Sequence, residues 1–107
     1  QLEEIETVQI ELFGELLRDL QEVEETAGSL LDNTMVLYGC HMGDANIHNN
    51  NNLPVILAGG GFKHGQHLAF NEHNNNPMCD IFVSMLQKMG IETDRFGSSK
   101  GTLTGLT

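Results

Sequence analysis

Apolar side chains at Leu2, Ile5, Leu12, Phe13, Leu16, Leu17, Leu20 and Val23 recur three and four positions apart, with Glu and Asp on the other face. That period predicts an amphipathic helix of about six or seven turns. Gly14 costs it up to about 1 kcal/mol relative to alanine, which the periodicity outweighs. Ala27-Gly28-Ser29 is expected to stop the helix, because glycine is favoured just past a helix end. Asp32-Asn33 is a turn signal, and the pattern then changes. Thr34–Tyr38 and Leu53–Ala58 are unbroken apolar runs, as expected of strands buried on both faces. Pro54 suits the start or edge of the second strand. His67–Phe70 is a candidate for a short third strand.

Helical spacing returns at Met78, Ile81, Phe82, Met85, Leu86 and Met89. Asn76 is placed as N-cap, Pro77 as first helical residue and Gly90 as the stop. From Ile91 the chain is rich in Gly, Ser and Thr and is expected to lie as an extended tail. The segments are therefore 1–27 (acidic amphipathic helix), 28–73 (strands and His/Asn/Gly loops), 74–90 (second helix) and 91–107 (tail). Helix, two or three short strands and helix make an α/β arrangement with its functional loops at strand ends.

A chain of 107 residues forms one small domain or part of a larger one. It begins with Gln rather than Met and reads as a segment of something longer. No apolar run reaches the roughly 18 residues of a membrane span, and there is no signal pattern at the start. The net charge of −10, with five Lys and Arg, argues against a nucleic-acid surface. Nine acids and one base (Arg18) fall within Gln1–Thr26, leaving six acids and four bases for Ala27–Thr107. The simplest reading of the acidic stretch is a solvated helix face, the alternative a partner-docking or cation-binding surface. Cys40 and Cys79 are too few for a disulfide framework and read first as two buried thiols.

The candidate chemistry is confined to one stretch. All five histidines lie between His41 and His73, in loops that border the two runs. Asp44 and His48 are four apart with Asn46 between them, a plausible half-site for a divalent metal. The same residues also suit local turn hydrogen bonds beside a surface histidine. His64 and His67 follow Gly59-Gly60-Gly61, and Gly65 between them makes bending cheap. Together Asp44, His48, His64 and His67 give the ligand count of a zinc or similar site, if they converge. His41 is a further possibility, and His73, in an Asn-rich turn, is expected at the surface. The triple glycine lacks the Lys-Ser/Thr ending of a phosphate loop and the spacing of a dinucleotide fingerprint. No Gly-x-Ser-x-Gly elbow supplies a nucleophile.

Several segments carry a family resemblance: Leu30-Leu31-Asp32-Asn33-Thr34-Met35-Val36-Leu37-Tyr38-Gly39, Met42-Gly43-Asp44-Ala45-Asn46-Ile47-His48-Asn49, Asn52–Gly61, Gly65-Gln66-His67-Leu68, Arg95-Phe96-Gly97 and the Gly105-Leu106 ending. They resemble the C-terminal region of a family of exported bacterial proteins of unknown function, named for an HXXSHH motif. The resemblance covers nearly all of the chain and is most specific over Tyr38–His67. It implies a C-terminal segment of a longer protein sent to the periplasm or beyond, with the named motif elsewhere in that protein. It further implies a fold related to alkaline-phosphatase-like and sulfatase-like hydrolases, which bind divalent metal at the strand ends of a parallel, layered sheet. On that basis Asp44 and His48 are expected as metal ligands, with His67 third, in a phosphate- or sulfate-ester hydrolase-like site completed by the remainder of the parent chain. Asn50 and Asn51 depart from the family, whose members often carry His and Asp there. The competing expectation, of a different class, is a non-catalytic structural or assembly module, including a homo-oligomer.

Overall fold

The computed structural model describes all residues, 1–107. It is a mixed helix-and-strand chain: α1 (Leu2–Glu22), β1 (Glu24–Glu25), β2 (Gly28–Ser29), β3 (Met35–Gly39), β4 (Val55–Gly59), a 3-10 turn (Glu72–Asn74) and α2 (Cys79–Lys88). The residues gather into two compact units, one of Gln1–Val36 with Ala58–Gly61, the other of Leu37–Leu57 with Phe62–Thr107.

In the first unit α1 ends about a turn earlier than Gly28 would place it. Val23 leaves the helix in an extended conformation (φ −83°, ψ 113°). Glu24 and Glu25 then pair antiparallel with Ser29 and Gly28 in a small hairpin absent from the sequence expectation. The reason lies in the helix's last carbonyls, which need partners. Leu31 N donates to Leu20 O at 3.1 Å and Leu30 N to Val23 O at 2.8 Å. Glycine at 28, with φ 96°, still serves the turn, but as a hairpin residue. The hairpin is locked by Ser29 and Asp32. Both the amide and the hydroxyl of Ser29 donate to Asp32 Oδ2 at 2.8 Å. Asp32 N returns a bond to Ser29 Oγ at 3.2 Å.

β3 and β4 form a second two-stranded sheet. Gly39 lies against Val55 at one end and Gly59 against Thr34 at the other, so the strands run antiparallel, not parallel as the family resemblance implied. They are partly buried rather than covered on both faces, with Ile56 44% exposed. The unbroken apolar runs thus overstate burial. His67–Phe70 is not a strand. No ladder neighbour reaches it, and beside it Gln66 Nε2 is bound to the carbonyls of Lys63 (2.9 Å) and Gly105 (2.6 Å).

The second unit holds the buried apolar side chains Phe62, Ile81, Val83 and Leu106. α2 starts later than expected: Met78 is its N-cap, and Asp80 N and Ile81 N bond to the carbonyls of Pro77 and Met78. Its end is as expected. Gly90, at φ 79°, donates to Gln87 O, and Ile91 N reaches back to Leu86 O, the paired bonds of a Schellman motif. The tail after Ile91 is irregular but docked. Asp80, 1% exposed, accepts from Lys100 N at 2.7 Å and Asn76 Nδ2 at 3.2 Å. Ser84 Oγ accepts from Leu103 N at 3.2 Å and donates to Asp80 O. Lys63 N closes onto Leu106 O. Two polar side chains of α2 thus give the tail's amides buried partners, and Leu106 belongs to the core.

Two outcomes follow for stability. Asp80→Ala removes the buried acceptor of the Lys100 amide and of the exposed Asn76 side chain, so it is expected to cost about 1–2 kcal/mol in urea unfolding; a cost near zero would remove Asp80 as the tail's anchor. The bonds from the Ser29 amide, then its hydroxyl, hold the Asp32 carboxyl below its ordinary value of 3.8, against a smaller opposing effect of burial. A depressed folded pKa makes this contribution complete above pH 3.8 and loses it as pH falls through the lower folded value. The urea-midpoint difference between wild type and Asp32→Asn should accordingly shrink on acidification below that pH and stay flat above it.

Candidate functional site

Asp44 and His48 lie in the 15-residue connection between β3 and β4, residues 40–54. This connection is closed near its start by an antiparallel bridge between Asp44 and Asn49. Gly43 N and Asp44 N both donate to Asn49 O, at 2.8 and 3.2 Å, and Asn49 N donates to Asp44 O at 3.0 Å. Gly43 packs directly on the Asn51 carbonyl, where a Cβ has no room. Inside the loop Asn46 N donates to Asp44 Oδ1 at 2.9 Å and Asn51 N to Asn49 Oδ1 at 2.8 Å. Both are Asx turns, the local chemistry that Asp and Asn favour. Asn75 Nδ2 ties the loop to the segment before α2 through Asn52 Oδ1 at 3.2 Å.

His48 adopts φ 51° and Asn52 φ 52°. The left-handed region is uncommon for residues with a Cβ, and asparagine, aspartate and histidine are the types that enter it most readily. Asp44 and His48 are both exposed. One carboxylate oxygen of Asp44 is engaged by Asn46, which leaves Oδ2 without a protein partner.

His64 and His67 occupy the irregular stretch after β4, on either side of Gly65 at φ 74°, and both are exposed. They do not complete a cluster with Asp44 and His48. Nowhere in the chain do three or more His, Cys, Asp or Glu side chains gather as a metal would require. A zinc site draws at least three protein ligands, so the four candidates do not form one by themselves. His73 is at the surface as expected, 3.4 Å from Glu72. The cysteines are both free; Cys40 is exposed, against the expectation of burial, and Cys79 is half-buried near Ser98 Oγ at 3.6 Å.

The residues that sequence reasoning passed over are Asp80 and Ser84. Asp80 sits one position before the apolar pair Ile81 and Phe82, and a single charge at that point of a helix reads as solvated surface. The only available hint was the i, i+4 spacing of Asn76, Asp80 and Ser84 on one face. No helix is long and apolar enough to cross a membrane. Comparison with protein-family models, curated proteins and solved structures gives no match.

Proposed function

We propose that this chain is the C-terminal segment of an exported metallohydrolase-like protein, and that it presents Asp44 and His48 to a divalent-metal site completed by residues outside the chain. The bridged loop carries the reading. An Asp and a His flank one turn, closed by three backbone hydrogen bonds, with the His held at positive φ and Asp44 Oδ2 unengaged. The family resemblance over Tyr38–His67 supports the same two residues and relates the fold to the alkaline-phosphatase-like layered sheet. His67 and His64 are the next candidates, from the neighbouring loop. The segment supplies part of a ligand set, and the substrate class implied is a phosphate or sulfate ester. In the full-length protein, Asp44→Ala and His48→Ala are each expected to lower bound zinc or a similar metal by at least about tenfold in affinity, as loss of a direct ligand should. Metal analysis of the purified variants checks this, and unchanged metal content in both sinks the proposal.

A second reading, a non-catalytic assembly module, is favoured by one specific observation. None of the 21 residues of α1 is buried, although Leu2, Ile5, Val8, Leu12 and Leu16 are 46–69% exposed. A contiguous apolar stripe of this length marks an interaction surface. The chain is expected to brighten a hydrophobic-surface dye, and Leu12→Gln with Leu16→Gln to remove most of that signal. An unchanged signal would place the accessible apolar surface elsewhere and end this reading.

A further inference from the structure

Resting on the second reading, we propose that the exposed face of α1 docks into an apolar groove on another polypeptide whose Lys and Arg side chains line one edge only. Leu2, Ile5, Val8, Leu12 and Leu16 follow one another at three- and four-residue steps along the helix. At 100° per residue they form one stripe. Phe13, Leu17 and Leu20 are half-buried, so that face of α1 is already partly covered. The outer stripe has no such cover.

The charges are not spread evenly round this stripe. Glu4, Glu11, Glu15, Asp19 and Glu22 fall at spacings of seven, four, four and three, forming a column along the flank beside Val8 and Leu12, where Arg18 is the one base among five acids. All five are exposed. The other flank carries Glu3 and Glu6 interleaved with Ile10 and Leu17, and has no continuous column. An occupant must therefore match an apolar floor and a one-sided anionic edge, which fixes both its chemistry and its direction.

A second copy of α1 fits poorly. Each copy brings seven carboxylates and one guanidinium, a net −6, to the contact. Like charges at such an interface cost affinity and slow encounter. An anionic membrane surface is disfavoured for the same reason, since helices that lie on membranes carry Lys and Arg beside the apolar face. A groove with a basic edge meets both demands, as in other helix-in-groove recognition.

The test uses the whole chain and a synthetic two-helix hairpin with a leucine-lined groove, made in three versions. One bears lysines on the edge that faces the Glu4–Glu22 column, one bears them on the opposite edge, and one bears glutamates. Titration by fluorescence anisotropy should rank the first about tenfold tighter than the second, the sum of several exposed ion pairs, with the glutamate version weakest. That margin should narrow as salt rises. Glu11→Lys with Glu15→Lys, both at exposed positions, should erase or invert the ranking. Equal binding of all versions, no binding of any, or self-association of the chain that tightens with salt would each overturn the proposal. The dye measurement on Leu12→Gln with Leu16→Gln separates a wrong edge from a wrong surface: loss of dye signal with no edge preference keeps the apolar stripe and discards the basic rim.

Discussion

The second unit depends on one buried carboxylate. Asp80 is 1% exposed on α2 and is satisfied by an amide twenty residues later and an amide side chain four residues earlier. Burying a charge is costly unless hydrogen bonds replace its water, so the surrounding chain is constrained to deliver them. Lys100 N and Asn76 Nδ2 do so, and Ser84 repeats the arrangement one turn on with Leu103 N. With those contacts made, Leu106 is buried, as are Phe62, Ile81 and Val83, in the unit's small core. A Gly-, Ser- and Thr-rich segment with little apolar content is thereby held by its own backbone.

The first unit solves a related problem by local means. Its helix has no glycine stop at its own end, and the carbonyls of Leu20 and Val23 are taken instead by the amides of Leu31 and Leu30. Ser29 and Asp32 hold that return in place. What the unit does not do is cover the outer stripe of α1. A helix of 21 residues draws most of its stability in a protein from packing an apolar face, and here that face is open along its N-terminal half.

The loop bearing Asp44 and His48 is shaped by asparagine and aspartate. Asx turns at Asp44 and Asn49, the Asn49 bridge, and the Asn52–Asn75 bond determine its course. Turn chemistry and ligand chemistry use the same residue types, and Asp44 can serve both because it has two carboxylate oxygens.

Periodicity in the sequence determined both helices, the two strand positions within a residue or two, and the Gly90 stop, because each is a local consequence of side-chain spacing or of one backbone angle. It also placed His73 at the surface and confined the candidate ligands to two loops. Tertiary structure alone decided four matters. α1 ends early because amides of the hairpin that follows take its carbonyls; β3 and β4 run antiparallel and half-covered; His67–Phe70 finds no ladder partner; and the tail docks on Asp80 and Ser84. Each depends on a hydrogen-bond partner or neighbour outside the element itself, which composition does not encode. The same holds for Asp44, His48, His64 and His67: their identity and spacing are legible in the sequence, but whether ligands meet at one point is a property of the folded backbone.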